Sequence, residues 1–85
     1  GWNSLQLRRA DPLLAGIGVD DWFYFVHSYA VMPGADTLAS AHYGVEVAAV
    51  VRRANFWGTQ FHPERSSVAG ARLLANFLSL RPGEP

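Results

Sequence analysis

Residues 22–31, reading Trp-Phe-Tyr-Phe-Val-His-Ser-Tyr-Ala-Val, constrain the fold more than any other part of the chain. Aromatic and β-branched side chains favour extended backbone, where they pack well on a pleated surface. Apolar residues occur on both parities of the run, which predicts a strand covered on both faces. His27-Ser28-Tyr29 is its polar exception. Successive side chains of a strand point to opposite faces, so His27 and Ser28 do not share one. Each then requires its own hydrogen-bond partner or ligand.

Shorter elements surround this strand. Leu5 and Leu7 alternate with polar neighbours over residues 4–7, the pattern of a half-buried strand. Trp2, as a large aromatic, is assigned to the core. Asp11 as N-cap, Pro12 at the first position and Gly16 at the stop predict one helical turn. Asp20-Asp21 and Pro33-Gly34-Ala35-Asp36 mark turns. Residues 37–43, 45–51 and 56–61 read as three further strands, broken at Gly44 and at a tight Ala54-Asn55 link. Short links between apolar runs favour antiparallel neighbours, so residues 37–61 are expected to form a meander, with His42 at a turn in solvent.

The single convincing helix spans residues 67–80, with Ser66 or Ser67 as N-cap. Gly70, Leu73, Leu74, Phe77 and Leu78 follow helical spacing and form the predicted buried stripe, while Arg72, Asn76 and Ser79 fall opposite. Gly70 permits a close approach between helix and strand. Residues 81–85, with two prolines, do not continue the helix and are expected to fray.

Bulk properties narrow the function. Eighty-five residues suffice for one small domain. Seven arginines balance seven acids with no lysine, which argues against a nucleic-acid surface. No apolar run approaches the roughly 20 residues of a membrane span, and no charged-then-apolar leader is present. A soluble, cytoplasmic protein is expected. The absence of cysteine excludes a disulfide framework, a thiolate metal site and a cysteine nucleophile within these residues. A first residue other than methionine predicts a piece of a longer polypeptide.

The residues with the clearest chemistry are His62 and Glu64, delivered by the apolar run 56–61 and separated by Pro63. In extended backbone residues i and i+2 point to one side, with Cα atoms roughly 6.5 Å apart, so the carboxylate reaches the imidazole. Proline biases the residue before it toward extended geometry. A carboxylate on one ring nitrogen sets the tautomer and leaves the other nitrogen to accept a proton from a nucleophile. Two other readings stay open on these residues alone. One is a turn with a surface ion pair in a non-catalytic β-rich binding module. The other is a zinc hydrolase using His62, Glu64 and either His27 or His42, although the spacing lacks the close His or Cys pairs of zinc sites.

Taken in order, Gly1-Trp2-Asn3, Pro12-Leu13-Leu14-Ala15-Gly16-Ile17, Tyr24-Phe25-Val26-His27-Ser28-Tyr29, Tyr43-Gly44, Gly58-Thr59-Gln60-Phe61-His62-Pro63-Glu64-Arg65-Ser66 and Gly70-Ala71-Arg72-Leu73-Leu74-Ala75-Asn76-Phe77 resemble the C-terminal part of a class I glutamine amidotransferase. The His-Pro-Glu run is shared across that class. Gly-Trp-Asn and Phe-Val-His-Ser-Tyr are most similar to the glutaminase subunits of imidazole glycerol phosphate synthases, enzymes of histidine biosynthesis.

The resemblance implies a Cys-His-Glu triad in which His62 is base and acid, Glu64 orients it, and a cysteine on an upstream elbow attacks glutamine. It places His27, Ser28 and Tyr29 beside the bound glutamine, and Trp2 and Arg65 near the interface with a barrel-type synthase subunit that receives the ammonia. It implies no cofactor and no metal, and a chain inactive by itself for want of the thiol. Position 65 is Arg where the family usually has Lys, two residues that are not interchangeable at every contact. A class I amidotransferase with a different acceptor is the nearest alternative. The expected fold is therefore α/β: the C-terminal portion, residues 1–85, of a three-layer amidotransferase domain, with a mixed sheet, a β meander and one closing helix.

Overall fold

The computed structural model describes residues 1–25, 31–42 and 44–80. Among the described residues, six strands and one α-helix are arranged as two antiparallel sheets with the helix closing one side. β1 (Trp2–Ser4) pairs with β3 (Trp22–Tyr24). The larger sheet has the order β2-β4-β5-β6, from Gln6–Leu7, Thr37–His42, Glu46–Arg53 and Phe56–Thr59. The last three strands are the expected meander, since each link is too short for a crossover. An antiparallel bridge, Phe25 to Phe61, joins the end of β3 to the chain leaving β6. The mixed α/β architecture is as expected. Every ladder among the described residues is antiparallel, so any parallel part of the sheet lies outside them.

In its described part the aromatic strand is more one-sided than its composition predicts. Phe23 and Phe25 are buried, and both rings pack on Phe61, with centroids 4.5 and 5.3 Å away. Trp22, on the other parity, is exposed. Cover on both faces is therefore corrected for the described part of the run; residues 26–30 lie outside it. Trp2 is likewise not a core residue, being half exposed. Its position opposite Tyr24 puts both rings on the outer face of the two-stranded sheet, where they meet edge to face at 5.6 Å.

The turn before β3 forms as the residues dictate. Asp11 caps a 3₁₀ turn, Pro12–Leu14, by accepting from the Leu13 N–H at 3.0 Å, and Gly16 leaves it with φ of 76°. The same carboxylate accepts from Arg52 Nη1 at 2.7 Å and Trp57 Nε1 at 3.1 Å, while the Arg52 guanidinium lies 4.5 Å from the Trp57 ring. A capping aspartate thus also ties the turn to β5 and β6. Burial raises the Asp11 pKa, but the Arg52, Leu13 and Trp57 hydrogen bonds outweigh it and hold the carboxyl below its usual range.

The helix, α1, runs Ser67–Leu78 and buries a stripe that shares only Gly70 and Leu73 with the expected one. Ala69, Gly70 and Leu73 are buried, whereas Leu74, Phe77 and Leu78 are exposed. Asn76, expected to face outward, points in and donates 2.8 Å bonds to the Leu13 and Ala15 carbonyls. Steric fit explains the rotation. A Cβ on Gly70 would lie 1.9 Å from the Pro63 carbonyl oxygen, so the helix turns its smallest residue to the closest backbone. That contact is with the loop after β6, where a strand was expected. Residues 81–85, the expected tail, lie outside the described residues. Among those that are described, no helix is long and apolar enough to cross a membrane.

Candidate active site

The His62 loop is built from the backbone outward. Phe61 is buried by Phe23 and Phe25, which anchors the chain just before His62. The His62 N–H donates to the Tyr24 carbonyl at 3.0 Å. His62 is extended, with φ −99° and ψ 100°, and Pro63 then opens a 3₁₀ turn, Pro63–Arg65. Within that turn Arg65 N–H donates to the His62 carbonyl and Ser66 N–H to the Pro63 carbonyl.

His62 Nδ1 lies 3.1 Å from Glu64 Oε2. The predicted pair forms, but by a different local route. Proline does bias His62 toward extended backbone, yet its own fixed φ suits the first position of a helical turn, so Glu64 comes round on the turn instead of along a strand. The ionised carboxylate only accepts, so Nδ1 carries the proton and Nε2 of the neutral ring carries the lone pair. The Glu64 carboxyl is held below its ordinary range, first by the hydrogen bond from its own backbone N–H, which with the His62 ring and the charge of Arg65 outweighs the opposing effect of desolvation. His62 and Glu64 side chains are 45% and 62% exposed, so the ring is open to a reacting group from outside the described residues.

Ser66 was expected to cap α1. It flanks the helix, but its hydroxyl makes no cap bond. Fully buried, it instead donates to the His62 carbonyl at 2.6 Å and accepts from the Tyr24 N–H at 2.9 Å. The next residue, Ser67, has φ of 56°, a sharp bend between loop and helix that leaves no ordinary cap geometry. Sequence reasoning missed Ser66 as a loop residue because Ser before an apolar run is the usual N-cap signal. Its place four residues after His62, across a turn opened by proline, is the signal that marks it.

His27, Ser28 and Tyr29, the substrate-side candidates, lie outside the described residues. Trp2 and Arg65, the interface candidates, are both exposed. Trp2 borders a hollow of about 360 Å³ shared with Asp20, Asp21, Trp22 and the start of α1. The structure does not bring His42 to His62. His42 Nδ1 pairs with Glu46 Oε1 at 3.3 Å, near the turn between β4 and β5, and Ser40 Oγ donates to the other Glu46 oxygen at 2.7 Å. Among the described residues, no three His, Asp or Glu side chains gather as a metal site.

The family profile described as "Glutamine amidotransferase class-I" matches residues 1–80. The chain is similar to the imidazole glycerol phosphate synthase subunit HisH of Vibrio cholerae, with 51% identity over 80 residues, covering 94% of this chain and 39% of that protein. The HisH subunit of Mannheimia succiniciproducens is 53% identical over 78 residues, 92% of this chain and 40% of its own length. That of Synechococcus elongatus is 49% identical over 83 residues, 93% and 38% respectively. The chain thus spans about two fifths of the length of the curated relatives it matches.

Proposed function

This chain belongs to the class I glutamine amidotransferases, and from that premise we propose that it carries the histidine and glutamate of a Cys-His-Glu triad that hydrolyses glutamine to glutamate and ammonia. The observation that carries the reading is the 3.1 Å contact from His62 Nδ1 to Glu64 Oε2 on a loop held by Tyr24 and Ser66. Residues 1–85 form the C-terminal part of one amidotransferase domain, and the thiol comes from the rest of the protein, since these residues contain no cysteine.

In the proposed reaction Nε2 of His62 takes the proton of that thiol as sulfur attacks the carboxamide carbon. A C–S bond forms and the carbonyl π pair moves onto oxygen, where backbone N–H groups outside this chain stabilise it. The imidazolium hydrogen-bonded to Glu64 then protonates the departing nitrogen, the C–N bond breaks, and ammonia leaves a thioester. Water adds with His62 again as base. Collapse releases glutamate and returns the proton to sulfur. Glu64 keeps Nδ1 protonated in each half-reaction and stabilises the transient positive ring.

His27, Ser28 and Tyr29 would contact the bound glutamine, and Trp2 and Arg65 would face a barrel-type synthase subunit that consumes the ammonia. The printed names of the relatives, subunits of imidazole glycerol phosphate synthase, support that partner and the acceptor reaction of histidine biosynthesis. The test is glutamine hydrolysis by the full-length protein with its synthase partner. His62→Ala is expected to lower kcat by about 10²–10⁴-fold and Glu64→Gln by less, in line with the usual worth of a positioned acid-base group. Undiminished hydrolysis by His62→Ala defeats the proposal. The 85-residue chain alone is expected to release no ammonia.

A further inference from the structure

We propose that the Ser66 hydroxyl is a positioning residue for His62, a buried clasp that sets the direction of the imidazole by holding the backbone on which it is mounted. This rests on the function proposed above. Ser66 Oγ donates to the His62 carbonyl at 2.6 Å and accepts from the Tyr24 N–H at 2.9 Å, and the His62 N–H donates to the Tyr24 carbonyl at 3.0 Å. These three bonds close a ring through Ser66, His62 and Tyr24. Both backbone polar groups of His62 are thereby fixed to one buried neighbourhood.

The clasp has no other task visible in the fold. It does not cap α1, and the Ser66 side chain has no exposure through which to meet solvent or a partner. It does connect the ring-bearing residue to β3, the strand that precedes His27, Ser28 and Tyr29 in the sequence. A hydroxyl is required because the position must both donate to a carbonyl and accept from an amide, which neither alanine nor glycine does. Removing it strands the Tyr24 N–H and leaves the His62 carbonyl held only from within its own turn, by the Arg65 N–H, while the pair of His62 with Glu64 survives as a contact within the loop. The deficit therefore falls on alignment of Nε2 with the thiol. It does not fall on glutamine affinity.

The experiment uses the full-length protein with its synthase partner, assayed for glutamine hydrolysis well below the unfolding midpoints of all variants. Ser66→Ala is expected to lower kcat about 10–100-fold, the penalty for misplacing a reacting group by up to about 1 Å, with KM changed less than about threefold. Leu73→Ala, at a buried α1 leucine that makes none of the clasp bonds, is the control for general loosening and should keep kcat within about threefold of wild type. Ser66→Cys, close to isosteric but a weak hydrogen-bonder, should fall between Ser66→Ala and wild type, and decides the matter if Ser66→Ala does not fold. Wild-type kcat in Ser66→Ala or Ser66→Cys, or an equal loss in Leu73→Ala, overturns the proposal. A wild-type rate in Ser66→Ala beside an inactive His62→Ala sinks the clasp alone, whereas a wild-type rate in His62→Ala sinks the underlying function.

Discussion

Gly70→Ala sets two physical effects against each other. Alanine is the better helix former by about 1 kcal/mol, so propensity alone predicts a more stable protein. The surroundings predict the reverse. The added Cβ would sit 1.9 Å from the Pro63 carbonyl oxygen and 2.8 Å from Ser66 Cβ. Ordinary contact begins near 3.4 Å, so about 1.5 Å must be recovered against a backbone atom that cannot swing aside as a side chain does. Overpacking of this kind costs about 1–3 kcal/mol, and a backbone clash puts Gly70→Ala at the upper end, for a net loss of about 1–2 kcal/mol. For a protein of the relatives' size that is a fall in Tm of roughly 2–8 °C. The Pro63 carbonyl belongs to the turn that presents Glu64, and it accepts the Ser66 N–H. Its displacement therefore moves the His62–Glu64 pair as well, and kcat should drop by up to about 10²-fold. Thermal unfolding by circular dichroism and a glutaminase assay on the full-length protein read both quantities. A raised Tm with a rate within twofold of wild type would show that helix and loop are not in close contact, and the account of the buried stripe fails with it.

Asp11→Asn should destabilise at neutral pH by about 2–3 kcal/mol, since the Arg52, Trp57 and Leu13 donors lose a charged acceptor. The folded carboxyl titrates below the ordinary aspartate value of 3.8, so its contribution is complete above that pH and is lost as pH falls through the lower folded value. Urea unfolding at pH 7 and near pH 3 should show the gap between wild type and Asp11→Asn narrowing with acid; an equal gap at both refutes the charge argument. Ala54, with φ of 55° in the link between β5 and β6, predicts opposite effects for two substitutions. Ala54→Val should cost about 1–2 kcal/mol and Ala54→Gly should be neutral or stabilising by under about 1 kcal/mol in chemical denaturation, and the reverse order would sink the strain assignment. Leu73→Ala should cost about 2–5 kcal/mol because Leu73 is the largest buried side chain of α1; a loss below about 1 kcal/mol would mean that the helix does not depend on this contact.

Much of the fold was legible because its causes are local. The meander follows from apolar runs joined by links too short for anything else, and the turn at Pro12–Leu14 follows from Asp, Pro and Gly in the right places. The buried face of α1 was legible only in part, since Gly70 and Leu73 are buried as expected while Leu74, Phe77 and Leu78 are not. Leucine and phenylalanine at helical spacing outweigh glycine on any hydropathy scale, yet what selects the face is how near another backbone comes, and that depends on where the loop after β6 lies. Trp2 and Trp22 fail for a related reason: β1 and β3 form a ribbon with an open outer face, and burial there requires a layer that these strands do not supply themselves.

What the sequence determined by itself was an imidazole and a carboxylate close enough to meet, because a spacing of two residues with proline between them leaves little freedom. Tertiary structure decided how that pair is held. Tyr24 lies 38 positions before His62 in the chain, and only folding brings its amide and carbonyl to the histidine, with Ser66 closing the ring. Hydrogen bonds between distant residues exist only where packing has already placed the backbones, and no local pattern records that placement.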